Sequence, residues 1–401
     1  MKVVYCKLKD CCLKIGSGAT PKGGKSVYTD NGVSLIRSQN VYNLNFAYKG
    51  LAHINDDAAE KLRGVTVKEK DVLLNITGDS VARTCVVPND VLPARVNQHV
   101  AIIRPKQSLN SLYLNYYLAS PAMQGYLLNI ASTGASRNAI TKAAIEKLVV
   151  PVPEIGCQQQ IANVLSAYDN LIENNNKRIK ILEQMAENLY KEWFVRFRFP
   201  GHESTPLENG IPKAWMIKRV DELAKIKAGG DRPDICEDEI TDNCKVPVYS
   251  NGIENEGLYG FTDVAEINKA SVTISARGTI GYVCLRRIPF VPIVRLLSVT
   301  PNTSEISVYY LYYMLKNDAV IGNGTSQQQI TVPMLGRKKI LVPENSLIDS
   351  FTAKAENIWN EIDLLKKATA NLIKQRDLLL PRLMSGKQEI SNGRNNERYS
   401  K

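Results

Sequence analysis

The sequence has 401 residues and lacks any run of about 18 consecutive apolar residues, the length that a helix needs to cross a membrane. The first twelve residues, MKVVYCKLKDCC, also lack the apolar core of a signal peptide. We therefore expect no membrane partner and an intracellular location.

The sequence has little of the chemistry that holds metals or disulfides. Its eight cysteines are scattered without a Cys-x-x-Cys pair, and its three histidines lie far apart. Cys236 and Cys244 therefore do not make a zinc site. In an intracellular protein this pattern predicts eight reduced thiols and no metal.

Catalytic motifs are missing as well. There is no Pro-Pro pair, which the Asn/Asp-Pro-Pro-aromatic loop of amino-methyltransferases requires, and no Gly-x-Ser-x-Gly or Gly-x-Gly-x-x-Gly. The stretch GATPKGGKS at 18–26 misses the phosphate-loop spacing by one residue in both registers, and it places Pro21 where N–H groups should cradle phosphates. We predict a structural turn there and a non-catalytic protein.

What the sequence does have is positive charge and enough apolar residues for packed cores. The formal net charge is +11, and 44% of the residues are hydrophobic. A basic protein of this kind favours an anionic partner, and nucleic acid is the first candidate.

The chain also repeats itself. ITKAAIEKLVVPVP at 140–153 aligns without gaps on ITVPMLGRKKILVP at 330–343. LKIGSGATP at 13–21 resembles AKIKAGGDRP at 224–233, and VLLNITGDSVARTCVV at 72–87 resembles VTISARGTIGYVCLRR at 272–287. The repetition predicts two related domains. Because the second copy lacks Gly-Lys-Ser, it also favours a turn at 18–26.

A long helix is predicted after each repeated segment. Apolar residues recur at steps alternating between four and three from Ile161 to Trp193 and from Phe351 to Leu383, the period of a coiled-coil seam. We expect the two stripes to pair within one molecule, and Pro381 to end or bend the second helix. The seam residues are Ile161, Leu165, Tyr168, Ile172, Ile179, Leu182, Leu189, Phe351, Ile358, Ile362, Leu365, Leu372 and Leu379. Three further seam positions, Asn175, Thr369 and Arg376, are polar; they either fix the register, meet another subunit or tolerate water.

Elsewhere, short apolar runs such as VSLIR and SVTIS predict strands, and helices are expected near 109–130 and 307–319. The fold class is therefore mixed α/β. Residues 201–213 are polar and rich in Pro and Gly, which is typical of a linker. The predicted limits are a first domain at 1–154, a long helix at 155–200, linker and second domain at 201–343, a second long helix at 344–385 and a polar tail at 386–401.

Together these features resemble the specificity subunits of type I restriction–modification systems. The resemblance rests on KIGSGATP, on STGASRNAITKAAIEKLVVPVPEIGCQQQIANVLSAYDNLI, on LYKEWFVRFRFPG and on LLPRLMSGKQEI. It implies two target recognition domains, each reading one half of a split sequence in double-stranded DNA, separated by two long helices that form an antiparallel coiled coil and set the spacing. It also implies two methylation subunits with S-adenosylmethionine, two restriction subunits with ATP, no cofactor on this chain, and the cytoplasm of a prokaryote.

Polar loops between the apolar runs supply the candidate DNA contacts. Lys and Arg suit phosphates, whereas Arg, Asn, Gln, Ser and Thr suit base edges. The candidates in the first domain are Lys22, Lys25, Arg37, Ser38, Gln39, Asn40, Tyr42, Arg95, Asn97, Gln98, Ser136 and Arg137. Those in the second domain are Tyr249, Ser250, Asn251, Arg277, Thr279, Thr325, Ser326, Gln327 and Gln328.

Two other functions compete with DNA recognition. A methyltransferase with fused recognition domains would need the methyltransferase loop that this sequence lacks. A coiled-coil scaffold that binds no DNA would need neither the positive charge nor the polar loops, which argue against it weakly.

Overall fold

The computed structural model of the chain describes residues 3–132, 139–317 and 329–384. The chain forms two compact units. Unit 1 comprises Met1–Asn175 together with Ala368–Lys401, and unit 2 comprises Asn176–Lys367. Both long helices contribute to both units, so this division differs from the domain limits expected from the sequence, which stay a prediction.

Unit 1 is built around a four-stranded antiparallel sheet with the strand order Thr84–Val86, Val72–Asn75, Val100–Pro105, Cys12–Ser17. A five-stranded sheet has the order Tyr28–Thr29, Ala52–Ile54, Val33–Ile36, Ala94–Val96, Thr66–Val67, with its one parallel pair between Val33–Ile36 and Ala94–Val96. Two-stranded pairs join Val3–Lys7 to Val149–Pro153 and Val41–Tyr42 to Asn45–Phe46.

Unit 2 repeats this plan. Its four-stranded antiparallel sheet has the order Val283–Arg286, Ser271–Ser275, Leu296–Pro301, Ala224–Ala228, the same sequence of equivalent strands as in unit 1. A three-stranded sheet has the order Leu258–Thr262, Val246–Tyr249, Val291–Pro292. Two-stranded pairs join Met216–Arg219 to Lys339–Val342 and Leu207–Glu208 to Ile211–Pro212. The predicted duplication is therefore visible in the four-stranded sheets, whereas the second sheet has five strands in unit 1 and three in unit 2.

Short helices cover the sheets. Unit 1 contains Leu8–Cys11, Asp56–Lys61, Ser111–Ala119, Pro121–Ser132 and Lys142–Lys147, and unit 2 contains Val220–Leu223, Val308–Asn317 and Val332–Gly336. The single helix expected near 109–130 is two helices. The break falls at Ser120, whose extended backbone follows from Pro121, since a residue before proline is kept out of the helical region.

The repeated Ile-Thr pair has one physical role in both units. Thr141 caps the helix Lys142–Lys147 by accepting from the Ala144 N–H, and Thr331 caps Val332–Gly336 by accepting from the Met334 N–H. A threonine side chain satisfies an amide that the first helical turn leaves without a partner.

The long helices are Ile155–Tyr190, continued by one π-helical turn at Lys191–Val195, and Asn345–Met384. The seam residues Ile161, Leu165, Ile179, Phe351, Ile362 and Leu365 are buried, and Tyr168, Ile172, Leu182, Leu189, Ile358, Leu372 and Leu379 are half-buried. In this antiparallel arrangement, Arg376 contacts Asp169 while Leu380 and Leu383 join Ile161 and Leu165 in the core of unit 1. In unit 2, Arg178 contacts Glu361 and the Tyr190 ring lies 6.3 Å from that of Phe351.

Of the two effects expected of Pro381, ending the second helix is wrong, because the helix continues to Met384, and bending it stays a prediction. A proline in the last turn removes a single helical hydrogen bond. Burial of Leu380, Leu383 and Met384 offsets that loss.

The stretch GATPKGGKS at 18–26 is a turn whose last three residues belong to the 3-10 helix Gly24–Val27. Gly18 donates to the Val100 carbonyl at 2.9 Å, and a Cβ at Gly18 would clash with the carbonyl oxygens of Val96 and Asn97. Gly229 does the same in unit 2: it donates to the Leu296 carbonyl at 2.8 Å, and its Cβ would clash with the Ile293 carbonyl. Glycine is needed here for the close approach of two backbones, not for a phosphate.

These observations confirm the predicted fold class: mixed α/β, with two globular domains and two long antiparallel helices. The eight cysteines are free thiols. Among the residues described, no helix is long and apolar enough to cross a membrane.

Candidate DNA interface

Several loops of unit 1 meet at one end of its four-stranded sheet. Asn75 ends one strand and pairs with Val100, which begins the next, while Ser17 pairs with the neighbouring Ala101. The loops at 18–25, 76–83 and 97–99 therefore emerge together. The Asn75 side chain donates to the Ser38 carbonyl at 2.9 Å, which joins the loop at 37–40 to the same edge.

These loops enclose a cleft of about 830 Å³, which we call the unit 1 cleft; it is lined by Ser38, Gln39, Tyr42, Thr77, Gly78, Asp79, Ser80, Arg83, His99 and Ala139. Thr77 Oγ1 lies 2.5 Å from His99 Nδ1, so the two loops are joined by a hydrogen bond. The Arg83 guanidinium lies over the Tyr42 ring, 4.7 Å from its centroid. Three residues singled out from the sequence, Ser38, Gln39 and Tyr42, are brought together here.

The structure gives Asn40 a different position from the one expected. Asn40 is 0% exposed. Its Oδ1 accepts from the Arg37 N–H at 3.0 Å, and its Nδ2 donates to the Ala47 carbonyl at 2.9 Å. Both ends of the amide are therefore occupied by the backbone, and Asn40 shapes the loop instead of facing a base.

Two arginines are also held by backbone carbonyls. Arg37 donates through Nη2 to Gly50 at 2.7 Å. Arg95 donates through Nε to Ala59 at 3.0 Å and through Nη1 to Ala94 at 3.1 Å, and burial lowers the pKa of its guanidinium. In these positions both side chains brace the loops.

Five further candidates of unit 1 are described by the structure: Lys22, Lys25, Gln39, Asn97 and Gln98. Gln39 is exposed and donates to the Gly50 carbonyl at 3.1 Å. Gln98 is exposed and contacts Thr20 and His99, and the Asn97 side chain accepts from the His99 N–H at 3.2 Å. Lys22 and Lys25 are exposed on the opening turn. Surface amides and ammonium groups of this kind suit base edges and phosphates, respectively.

An equivalent group of loops lies at the matching end of the unit 2 sheet. We call Asn251, Arg277, Thr279, Arg295 and Gln329 the unit 2 loop group. Asn251 Nδ2 donates to the Arg277 carbonyl at 2.9 Å, and Arg277 Nε donates to Gln329 Oε1 at 2.7 Å. Arg277 and Thr279 are exposed. Ser250 turns inward, where its hydroxyl lies 3.4 Å from the Gly257 carbonyl.

Tyr249 does not belong to this loop group. Its ring lies under the Arg286 guanidinium, 3.6 Å from the ring centroid, and burial raises the pKa of its phenol. It lines a separate cavity of about 500 Å³ with Tyr312, Trp359 and Lys366. Tyr249 therefore does not lie among the loop residues that could read bases.

Backbone hydrogen bonds establish which residues of the two units are equivalent. The Asn97 N–H donates to the Ile36 carbonyl at 3.0 Å, and the Ile293 N–H donates in the same way to the Tyr249 carbonyl at 2.9 Å. The Ile76 N–H donates to the His99 carbonyl at 2.9 Å, and the Ala276 N–H donates in the same way to the Arg295 carbonyl at 2.8 Å. The matching bonds make His99 equivalent to Arg295. Counting onward from the matched carbonyls and amides makes Ser38 equivalent to Asn251 and Thr77 equivalent to Arg277.

Sequence reasoning missed Arg295 and most of the 77–83 loop. Arg295 is exposed and has a φ of 72°, a left-handed conformation that is uncommon for a residue other than glycine. In the sequence, Arg295 interrupts the apolar run VPIVRLLSV, and this is the signal that could have found it. Gly78 and Gly278 have φ values of 75° and 72°, so both loops turn at the same place.

Six candidates lie outside the described residues: Ser136, Arg137, Thr325, Ser326, Gln327 and Gln328. Across the ranges 3–132, 139–317 and 329–384, no group of three His, Cys, Asp or Glu side chains could hold a metal ion.

With this geometry in place, comparison with known proteins is decisive. A family model described as the type I restriction modification DNA specificity domain matches residues 2–184 and again 212–374. The chain belongs to this family. The first match contains the loops of the unit 1 cleft and the second contains the unit 2 loop group, so each specificity domain has its own set of polar side chains.

Relatives and solved structures agree with this assignment. The chain is 25% identical over 409 residues to the MjaIX specificity subunit of a type I restriction enzyme from Methanocaldococcus jannaschii, covering 96% of this chain and 93% of that one. It is 21% identical to the HindI specificity subunit from Haemophilus influenzae, covering 88% and 94%. The crystal structure of a type I S subunit from M. genitalium matches with a TM-score of 0.61 at 16% identity over 97% of each chain, which shows the shared fold.

As a type I specificity subunit the chain is a DNA-recognition protein, and the predicted family and function are confirmed. The two alternatives, a scaffold without DNA and a methyltransferase with fused recognition domains, are not supported.

Proposed function

We propose that each unit reads one half of a bipartite DNA target through its own loops. One observation carries this proposal: equivalent backbone positions in the two units hold different side chains. Ser38 corresponds to Asn251, Thr77 to Arg277 and His99 to Arg295. A shared frame with different donors and acceptors presents two different patterns to base edges, so the two half-sites differ in sequence.

Positive charge supplies the part of binding that does not depend on sequence. The net charge is +11, and Lys22 and Lys25 are exposed beside the unit 1 loops. Lysines that neutralise phosphates release counterions, so affinity falls steeply as salt is raised. Changing both lysines to Ala should weaken binding to all sequences alike and reduce the salt dependence.

We further propose that the long helices carry the partners and set the distance between half-sites. Their outer faces expose the apolar side chains of Leu171, Ile181, Met185, Leu364 and Leu378. Exposed apolar side chains outside the seam suit protein docking. We assign two methylation subunits with S-adenosylmethionine and two restriction subunits with ATP to this assembly. The chain itself binds neither cofactor, catalyses no reaction and works in the prokaryotic cytoplasm, where the target DNA lies.

The test is a domain exchange in a host that carries the methylation subunits. Residues 214–343 are replaced by the equivalent domain of another specificity subunit, and methylated motifs are sequenced across the genome. We expect one half of the motif to change and the other to stay. A change in both halves would refute independent reading. Methyl transfer by the purified chain alone would refute the non-catalytic role.

A further inference from the structure

We propose that Arg277 and Arg295 read guanine in the half-site of unit 2. This inference rests on the proposed function and names the base chemistry of its second reading surface. Arginine can place two parallel N–H donors on the O6 and N7 acceptors that guanine shows in the major groove, and no other base offers this pair. Both arginines belong to the unit 2 loop group.

Arg277 presents an oriented guanidinium. Gln329 Oε1 accepts from its Nε at 2.7 Å, which fixes the plane of the group and leaves its two terminal amino groups for another acceptor. Among the described residues, no carbonyl or carboxylate accepts from those amino groups. The Arg277 carbonyl is held by Asn251 Nδ2 at 2.9 Å, so the backbone below the side chain is fixed as well.

Arg295 lies beside Arg277 through the backbone. The Ala276 N–H donates to the Arg295 carbonyl at 2.8 Å, so the residue that precedes Arg277 is bonded directly to Arg295. Arg295 is exposed, and its side chain forms no ion pair or hydrogen bond within the described part of the chain. Its φ of 72° is a costly conformation, and residues held in this way occur preferentially at functional sites.

For Arg277, the fixed orientation of the guanidinium argues for a base over a phosphate. A phosphate is satisfied by a mobile point charge such as an exposed lysine, whereas a fork held at Nε is suited to a planar pair of acceptors. Arg295 is assigned to the same role by its backbone bond to Ala276 and by its left-handed conformation. The equivalent positions of unit 1, Thr77 and His99, bear no arginine. The two arginines therefore belong to unit 2 alone at these positions, and unit 1 does not read guanine through the equivalent residues.

The experiment compares Arg277→Gln, Arg295→Asn and Lys269→Gln, each expressed as a full chain with its methylation subunits, by sequencing methylated motifs. Glutamine and asparagine favour adenine, and asparagine also tolerates the left-handed backbone at 295. Lys269 is the control, since this exposed cation precedes Ser271–Ser275 and so lies at the opposite end of that strand. We expect each arginine variant to lose guanine selectivity at one position of one half-site by about 5–150-fold and to accept adenine there. Lys269→Gln should leave the motif unchanged.

Two results would overturn the inference. One is a wild-type motif in which the half-site of unit 2 contains no G·C base pair. The other is a pair of arginine variants that keep the wild-type motif and lose only overall affinity, which would make both side chains phosphate contacts. Failure of the proposed function looks different: the wild-type complex would then give no bipartite motif at all.

Discussion

Arg376 on the second long helix forms an ion pair with Asp169 on the first, with Nη1 2.7 Å from Oδ1. Asp169 also accepts a hydrogen bond from the Tyr116 hydroxyl of the unit 1 domain. Burial raises the pKa of Tyr116, and the neighbouring carboxylate adds to the shift, so the phenol remains a donor at neutral pH. Of the roles open to the polar seam position Arg376, this network favours fixing the register.

We predict that Arg376→Ala lowers the free energy of unfolding of unit 1 by about 1.5–3 kcal/mol, because Asp169 keeps a half-buried charge after losing its partner. Hydrogen exchange of the helical segments 155–175 and 368–384 measures the effect. Replacing both Asp169 and Arg376 by Leu is the control, and it should recover most of the loss, since apolar residues can replace a buried pair. Equal damage from the double replacement would contradict this account.

Gln39 and Asn40 form a matched pair of neighbouring amides. Asn40→Ala should lower the free energy of unfolding by about 1–3 kcal/mol, because the Arg37 N–H and the Ala47 carbonyl lose buried partners. Gln39→Ala should leave thermal stability unchanged and alter the bases selected in one half-site. Thermal unfolding and motif sequencing of both variants check the two effects. A destabilised Gln39→Ala with an unaltered motif would reverse the assignment.

Gly18 and Gly16 test whether the opening turn depends on a close backbone approach. Gly18→Ala places a Cβ against the Val96 and Asn97 carbonyls, whereas a Cβ at Gly16 meets nothing within 4 Å. We expect Gly18→Ala to cost about 2–4 kcal/mol or to prevent folding, and Gly16→Ala to be tolerated. Gly229 and Gly230 give the same comparison in unit 2. Urea denaturation measures all four variants, and equal stability of Gly18→Ala and Gly16→Ala would be the contrary result.

Glu187 gives unit 2 a predictable response to acid. Hydrogen bonds from Lys191 and Lys316 lower the pKa of this carboxyl group. The unfolded state therefore binds the proton more readily, so the stabilisation is complete above the ordinary pKa of about 4.3 and is lost as pH falls below it. Denaturant unfolding between pH 6 and 3 should show a smaller loss in Glu187→Gln than in the wild type. Identical pH profiles would show that these contacts do not contribute.

The sequence was most informative where a periodic pattern covers many residues. The alternation of four and three predicted both long helices, and the repeat ending in Val152-Pro153 and Val342-Pro343 predicted the duplication. Both patterns follow from burial, which acts on every residue of a helix face. The local effects of proline were harder to predict from the sequence. Pro121 divides a predicted helix, whereas the second long helix continues past Pro381, because buried side chains around Pro381 hold that helix in place.

Individual site residues were less predictable because identical side chains serve different roles. The Asn40 amide has the donors and acceptors that suit a base, yet the backbone uses both, which only the folded loop reveals. Arg295 was overlooked because its apolar neighbours indicate the interior of a strand. Its positive φ could not be predicted either, because arginine is not a residue type that favours this conformation. Asn251 and Arg277 were found because loops that carry polar side chains between strands stand out in the sequence.

The core of unit 1 is completed by the second long helix, Asn345–Met384. Leu380, Leu383 and Met384 are buried with Ile161 and Leu165, although more than two hundred residues separate these segments. Unit 2 is contiguous in sequence, at Asn176–Lys367. During synthesis on the ribosome, unit 2 can therefore fold first, while the N-terminal part of unit 1 keeps an uncovered apolar stripe until residues 368–384 emerge. A stop codon at position 368 would thus leave every residue of unit 2 in place and damage the N-terminal domain, which lies farther from the stop in sequence.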